Sequence, residues 1–278
     1  MSDATFALPA KTCLPEVCRN LRPGLIDAID PRRRPRDGDL VLAEIAPGAG
    51  AVTVDRRDGR RATLYPGDAL LVVTARYHAP LALSCALPPA LGAAALASAA
   101  GIAGIPLQEA DAGRLRLLGV ALDRHGAALS LADLVPAPAA LQRPLNSVAV
   151  ISVARGARSS QVAAAVVHGF SRMGQITGIA KPFGMVEARE RWAFLDAGAQ
   201  LALDPLDGIR LDHAGLAADE AMAQVRRLQG QLREAGCQVG VLRIAGGMAV
   251  PEIRGLLSHP GFAAGIDGVI LAAAAAMS

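Results

Sequence analysis

The second half of the chain alternates short apolar runs with longer amphipathic stretches, and this pattern constrains the fold most strongly. Residues 147–152 (SVAVIS) have the length and composition of a buried strand, and Ser159–Arg172 places Val162, Val166 and Phe170 along one helical stripe. The alternation predicts further strands at 175–180, 200–203, 238–245 and 267–273, and helices at 187–197, 216–235 and 251–258. Alternating strands and helices with short connections predict a parallel sheet covered by helices on both faces.

The first half of the chain has a different pattern. Residues 39–45, 51–55, 61–65 and 69–73 read as short strands, with turns at Asp58-Gly59 and at Pro66-Gly67-Asp68. Short strands joined by tight turns predict a small β-barrel-like module. The Ala-rich residues 89–104 predict a helix, and residues 114–122 with 127–131 predict a further hairpin or edge strands.

A Pro- and Ala-rich stretch at residues 135–144 is typical of a linker. We therefore expect two domains. Residues 1–143 form a smaller, mixed and β-rich domain, and residues 144–278 form an α/β domain.

Composition excludes several classes of protein. A chain of 278 residues with 52% hydrophobic and 19% charged residues is not disordered. The uncharged stretch 80–107 is broken by Pro88-Pro89 and is rich in Ala and Gly, so we expect no membrane span. The first residues carry an early Asp and no long apolar run, which is unlike a secretory signal. Four scattered cysteines suit a reducing compartment, so the sequence predicts a cytoplasmic protein without a metal site.

Basic charge comes almost entirely from arginine, with 26 Arg against two Lys. Much of it clusters within residues 32–36 and 56–61, where it could bind phosphate. Acidic residues are interleaved with this cluster and aromatic residues are few, so a self-paired surface is the better interpretation. We expect no nucleic-acid partner.

The loop after the strand 147–152 is the first candidate site, because ligands of such sheets bind at the carboxyl ends of the strands. Its strand–loop–helix context and its spacing fit the phosphate-binding pattern G-x-x-x-x-G-K-[ST]. Ser152 and Ala157 stand where the glycines belong, Arg158 replaces the lysine, and only Ser159 conforms. Glycine matters there because backbone N–H groups must turn inward around the phosphates, and arginine is bulkier than lysine.

Two interpretations of this loop remain open. It is either a remnant of a phosphate-binding loop or an ordinary strand-to-helix turn. As a remnant, it would hold an anion with its arginines, its serines and the N-terminus of the following helix. The candidate anion- or phosphate-binding residues are Arg155, Gly156, Arg158, Ser159 and Ser160.

Two further cations are candidate catalytic residues. Lys181 ends the predicted strand 175–180, where it is either a site residue or a solvated strand-end lysine. Arg243 lies on the strand 238–245, where phosphate-binding-loop enzymes carry an acidic residue that holds Mg²⁺. Its positive charge would meet Asp204, Asp207 or an acidic ligand. Of the five histidines, only His213 is placed to reach this edge of the sheet.

Longer segments carry a family resemblance. They are PEVCRNLRPGLIDAIDPRRRPRDGDLVLAEI and GRRATLYPGDALLVVTARY in the first half, and FLDAGA, VLRIAGGMAVPEIRGLLSHPGF and IDGVILAA in the second. Over nearly the whole chain the sequence resembles the two-domain P-loop proteins that include the D-glutamate N-acetyltransferases, whose P-loop half is similar to dethiobiotin synthetase. AKPFG at residues 180–184 resembles the Lys-Pro strand end of dethiobiotin synthetase, which implies that Lys181 helps to bind substrate and nucleotide phosphate.

The sequence departs from this family in four elements that normally meet at one site. The departures are the altered loop before Ser159, Arg243 with the following Gly-Gly pair, the apolar residues after Arg76-Tyr77, and the Ala-rich end of the last strand. Changes in all four elements together predict that the nucleotide chemistry has been lost and not merely adjusted. A change of this kind removes the main electrostatic stabilisers of phosphoryl transfer.

The sequence thus leaves two functional hypotheses. In the first, a degenerate P-loop-fold protein no longer hydrolyses ATP and acts as a non-catalytic or regulatory partner subunit, or as a binder of a small anion. In the second, an active acyl-CoA-dependent N-acyltransferase or amide-forming enzyme uses the remnant loop for CoA or nucleotide phosphates. Acetyl-CoA or a nucleotide is the cofactor that the resemblance implies. The Ala-rich composition favours an oligomer, with itself or with another enzyme.

Overall fold

The computed structural model describes residues 5–78, 84–108, 114–135, 145–154, 158–208, 211 and 215–273. The chain divides into two compact units, which are considered separately. The first contains Met1–Pro136 and Met185–Ala188, and the second contains Ala137–Gly184 and Arg189–Ser278. The first unit is built on a seven-stranded sheet and the second on a five-stranded parallel sheet, so the mixed α/β class is confirmed.

Short strands dominate the first unit, as the turn chemistry predicts. A short 3-10 turn at Glu16–Cys18 precedes the first strand, and one short helix, α1 (Leu131–Leu134), follows the last strand. The strands are β1 (Ala28–Asp30), β2 (Leu40–Ile45), β3 (Val52–Asp55), β4 (Arg61–Leu64), β5 (Ala69–Thr74), β6 (Cys85–Ala86), β7 (Gly92–Ser98), β8 (Ile102–Pro106) and β9 (Arg114–Leu122).

The strand pairing of this unit closes on itself. β2 pairs with β5, β5 with β8, β8 with β7, β7 with β9, and β9 again with β2. This ring of five strands accounts for the barrel-like expectation, while β3 and β4 form a separate hairpin. Apolar side chains from β2, β5 and β9, among them Val41, Val72 and Val120, pack inside one buried cluster.

The predicted helix at residues 89–104 is wrong, because β7 and β8 occupy this stretch. Gly92 and Gly101 adopt φ values of +121° and +102°, which interrupt a helix. A Cβ on Gly104 would lie 2.5 Å from the Cβ of Cys85, so the close approach of β6 and β8 requires a residue without a side chain. Pairing with neighbouring strands therefore outweighs the helix propensity of alanine.

Of the two alternatives for residues 114–122 and 127–131, the edge strand is wrong, whereas a short hairpin forms, in which Leu129 N donates to Ala121 O. β9 pairs with β1 on one side and with β2 and β7 elsewhere along its nine residues, so it lies inside the sheet. A single bridge joins Leu122 to Ala128, and the chain then enters α1. The alternation of buried and exposed residues at the start of β9 resembled an edge strand because only its second half is buried on both faces.

The second unit follows the predicted alternation closely. Its strands are parallel and lie in the order β12-β11-β13-β10-β14, which confirms the predicted parallel sheet. The short helix α6 was not predicted, since five residues are too few to show a helical period. The elements are β10 (Asn146–Ser152), α2 (Ser159–Arg172), β11 (Thr177–Ala180), α3 (Ala188–Asp196), β12 (Leu201–Leu203), α4 (Ala218–Glu234), β13 (Val239–Ile244), α5 (Pro251–Leu257), α6 (Pro260–Ala264) and β14 (Gly268–Ala272).

Helices cover both faces of the parallel sheet. On one face, side chains of β10, β11 and β13 pack against Ala163 and Val167 of α2 and Phe194 of α3. On the other face, the alternate strand residues pack against α4 and α5, for example at Val225 and Ile253. Buried apolar residues on both faces explain why the strands read as continuous apolar runs rather than as alternating ones.

The connections that follow β10 and β13 leave the sheet in opposite directions. α2 leads from β10 towards β11 on one side, whereas α5 and α6 lead from β13 to β14 on the other side. Ligands of open α/β sheets bind where two neighbouring strands send their connections in opposite directions. In the described parts of the chain, no helix is long and apolar enough to cross a membrane.

Candidate functional site

Two buried cations lie side by side at the carboxyl edge of the parallel sheet. Ala180 of β11 pairs with Leu242 of β13, so the next residues, Lys181 and Arg243, are neighbours on adjacent strands. Arg243 is also the register partner of Val150, which faces α2 and α3. The side chains of Lys181 and Arg243 are only 4% and 14% exposed. Like charges placed this close and out of water require an anion between them.

Glu190, in the first turn of α3, supplies that anion. Its Oε2 accepts a hydrogen bond from Lys181 Nζ. Arg243 Nη1 lies 3.1 Å from Oε1 and 3.3 Å from Oε2, so one guanidinium nitrogen faces both carboxylate oxygens. Ser160 Oγ donates to Oε1 as well. We call these four residues the Glu190 cluster.

The Glu190 cluster keeps its carboxylate ionised. Burial disfavours the charged form and would raise the pKa of Glu190, and its side chain is 9% exposed. The charges of Lys181 and Arg243, with hydrogen bonds from Lys181 and Ser160, outweigh this effect and hold the pKa below its ordinary value of 4.5. The cluster is therefore a buried ion-pair network.

Arg243 has more hydrogen-bonding capacity than Glu190 uses. A guanidinium carries five N–H donors, and the carboxylate of Glu190 is approached only by Nη1. Nε of Arg243 is buried and has no hydrogen-bond partner within the described residues. An unsatisfied buried donor of this kind costs about 1–3 kcal/mol. An acceptor placed at Nε would therefore stabilise Arg243 further.

The start of α2 carries three of the residues that were predicted to bind an anion, Arg158, Ser159 and Ser160. Arg158 is exposed and adopts φ +48°, the one left-handed non-glycine residue among the described residues. Ser159 is buried, and its Oγ accepts a 2.6 Å hydrogen bond from Ser152 Oγ. Ser160 belongs to the Glu190 cluster. Arg155 and Gly156 lie outside the described residues.

The backbone after β13 lies against the backbone after β10. Gly246 and Gly247 have φ values of +103° and +94°. A Cβ on Gly247 would lie 3.4 Å from the Cα of Ala154, and Met248 N donates to Val153 O at 3.3 Å. The two glycines thus let the two loops meet at the carboxyl ends of β10 and β13.

Two sequence expectations need correction at this site. Arg243 meets Glu190 and not Asp204 or Asp207 among the described residues; these two aspartates instead accept backbone N–H groups of their own turn after β12, from Leu206 and Asp204 respectively. The interpretation of Lys181 as a solvated strand-end lysine is also wrong, because its residue exposure is 3%. His213 lies outside the described residues.

Sequence reasoning missed Glu190. The segment EARERW at residues 187–192 reads as the solvated face of a helix, because charged residues dominate it. One weak signal was available: Glu190 lies four residues before the buried Phe194, and residues spaced by four share one face of a helix. The pairing itself depends on the register of β11 and β13, which a single sequence does not show.

No family model and no curated protein matches this chain. The class of site is therefore defined by its own geometry: a parallel α/β sheet with two buried cations, two serines and a helix N-terminus at its carboxyl edge. In the described parts of the chain, no three or more His, Cys, Asp or Glu side chains are grouped to hold a metal ion. The carboxylate that these groups bind in the structure is the side chain of Glu190.

Proposed function

We propose that the second unit is a degenerate P-loop NTPase-like domain that no longer hydrolyses ATP. In this proposal the protein acts as a non-catalytic or regulatory partner subunit, or as a binder of a small anion, in acyl- or amide-forming metabolism. The proposal rests on one observation: Glu190 engages both Lys181 and Arg243 at the edge of the sheet where nucleotide phosphates would lie.

The charge pattern supports this proposal. Phosphoryl transfer is catalysed mainly by positioning and by charge, through a lysine at the loop and a Mg²⁺ held by an acidic residue on a neighbouring strand. Here Arg158 takes the place of the loop lysine, and Arg243 has the sign that repels Mg²⁺. Lys181 directs a donor to Glu190 rather than to a ligand.

The arrangement of elements supports a P-loop-like origin for the domain. A buried strand, β10, leads through the six residues 153–158 into α2, whose first residues are Ser159 and Ser160. The serine that follows Arg158 is the residue type that the phosphate-loop pattern requires. The resemblance to the two-domain family described above points in the same direction, and this family assignment remains part of the proposal.

A phosphate-release assay with Mg-ATP tests the loss of hydrolysis. We expect no release above the rate without protein, because neither Mg²⁺ nor a loop lysine stabilises the transition state. The double variant Ala157→Gly/Arg158→Lys restores the second glycine and the lysine of the phosphate-loop pattern. It leaves Arg243 in place, so it should gain little activity. Robust Mg-ATP hydrolysis by the unmodified protein would contradict the proposal.

One observation favours a second candidate, an acyl-CoA-dependent N-acyltransferase or amide-forming enzyme. Such an enzyme needs cations that orient a carboxylate substrate, and Lys181 and Arg243 already hold a carboxylate. Arg158 is exposed at the start of α2, where it could contact the phosphates of CoA without a metal. Micromolar binding of acetyl-CoA that Arg158→Ala weakens would support this candidate, and unchanged affinity in that variant would remove the loop from it.

A further inference from the structure

Lys181, Arg243 and Ser160 together form a carboxylate-binding cage. The three donors come from three separate elements, namely the end of β11, β13 and the first turn of α2. All of them converge on the single carboxylate of Glu190, which a fourth element, α3, brings in. These donors converge at the carboxyl edge of a parallel sheet, which is where ligands of open α/β sheets bind.

A purely structural role explains the Glu190 cluster poorly. Replacing a buried ion-pair network by apolar residues of similar volume is often neutral or stabilising, so stability alone does not require these charges. The buried, unpartnered Nε of Arg243 shows that Glu190 leaves one donor of the cage unsatisfied. A free ligand is not tethered to a helix and can adjust its position to such a donor, whereas Glu190 is confined by α3.

α3 is a short helix that buries few of its residues. Among its nine residues, only Ala188 and Phe194 are buried, whereas α4 buries nine of its seventeen residues. A helix with few buried apolar residues moves away from a sheet at low free-energy cost. For Glu190 to leave the cage, the first turn of α3, which also carries the buried Ala188, has to shift.

We propose that this cage is the binding site of a small molecule bearing a carboxylate, and that Glu190 occupies the site in the unliganded protein. The ligand exchanges with Glu190: its carboxylate accepts the hydrogen bonds from Lys181, Arg243 and Ser160, and α3 moves outward. The inference rests on the proposed function as an anion binder and adds its ligand class. Glu190 then sets the ligand affinity by competing for the same donors.

The chain contains a built-in reporter for this exchange. Its one tryptophan, Trp192, lies two residues after Glu190 on α3 and is 37% exposed. Arg191 lies over the indole ring at 5.3 Å. Movement of α3 changes the surroundings of Trp192, so its fluorescence reports displacement of Glu190 without any label.

The experiment titrates the Glu190→Gln variant and the unmodified protein with acetate, propionate and inorganic phosphate, with chloride as the ionic-strength control. We expect saturable binding of acetate and propionate to Glu190→Gln, seen in Trp192 fluorescence and as a rise in melting temperature of about 5 °C or more at a hundredfold excess over Kd. The unmodified protein should bind at least about tenfold more weakly, because Glu190 competes. Arg243→Gln in the Glu190→Gln background should weaken binding about tenfold or more, since it removes a charged hydrogen-bond donor.

Glu190→Asp serves as a second variant if Glu190→Gln does not fold. It keeps the charge but shortens the side chain, and we expect carboxylate affinity between those of the other two proteins. An acetate response no larger than that of chloride, or one unchanged by Arg243→Gln, would overturn the inference. Saturable binding of phosphate without binding of carboxylates would overturn the ligand class. None of these results changes the expectation for Mg-ATP hydrolysis, so the inference and the proposed function fail separately.

Discussion

At the scale of single residues, the chemistry of this protein depends on how one carboxylate neutralises two buried cations. Glu190 is held by Lys181, Arg243 and Ser160, and the pKa of its carboxyl group is lowered against the opposing effect of burial. A buried charge that loses its partner is strongly destabilising, whereas exposed ion pairs contribute little. Glu190 is therefore the residue whose substitution should affect stability most in this region.

Replacement of Glu190 by glutamine should lower the free energy of unfolding by about 3 kcal/mol or more, because two buried cations then lack a counter-charge. Urea unfolding measures this change. Glu187→Gln is the matched control, since Glu187 is exposed near the same helix, and it should change stability by no more than about 0.5 kcal/mol. Equal effects of the two substitutions would show that the Glu190 cluster contributes nothing to stability.

The lowered pKa of Glu190 also predicts a dependence of stability on pH. A carboxyl group with a lower pKa in the folded state stabilises the fold above its ordinary value of 4.5, and this contribution is lost as the pH falls through the lower folded value. Urea unfolding between about pH 6 and about pH 3 should therefore show a steeper loss of stability for the unmodified protein than for Glu190→Gln. Parallel curves would mean that Glu190 has the same pKa in the folded and unfolded states.

At the scale of secondary-structure elements, the sequence predicts the second unit better than the first. Strands buried on both faces and helices with one apolar stripe leave a periodic signal, so every strand of the parallel sheet was predicted within two residues of its bounds. The Ala-rich stretch 89–104 gave a wrong helix prediction, because alanine favours helices. The small side chain of alanine also fits where two strands approach closely. The position of Glu190 against Lys181 and Arg243 was unpredictable for a related reason, because strand register, not composition, brings these residues together.

A pair of glycine substitutions tests the packing of these elements. Gly178 lies on β11 beneath α4, and an added Cβ would lie 2.6 Å from Leu232 Cδ2 and 2.7 Å from Cys237 Sγ. Gly178→Ala should therefore destabilise the protein by about 1–3 kcal/mol. Gly169→Ala is the control, because Gly169 lies inside α2 with nothing within 4 Å of its Cβ position; there alanine should stabilise by about 0.5–1 kcal/mol. If both substitutions changed the melting temperature in the same direction, this would contradict the close approach of α4 to β11.

At the scale of the whole molecule, a closed ring of short strands and a parallel α/β sheet occur as two compact units of one chain. In open α/β sheets ligands bind where neighbouring strands send their connections in opposite directions, which here is between β10 and β13, and the residues at that place determine the chemistry. Where nucleotide chemistry would need a lysine at the loop and an acidic residue on β13, this chain has Arg158 and Arg243. A parallel sheet is thus combined, at its carboxyl edge, with side chains that hold a carboxylate.

Thermal unfolding of the unmodified protein with Mg-ATP, Mg-GTP, CoA and acetyl-CoA tests the central claim most directly. A ligand present at a hundred times its Kd stabilises the folded state by about 2.7 kcal/mol, which is easily measured as a shift in melting temperature. We predict no Mg²⁺-dependent shift with ATP or GTP, because Arg158 replaces the loop lysine and β13 carries Arg243 where Mg²⁺ requires an acidic residue. A clear Mg²⁺-dependent shift with either nucleotide would contradict the account, since it would show that the altered loop still binds nucleotide.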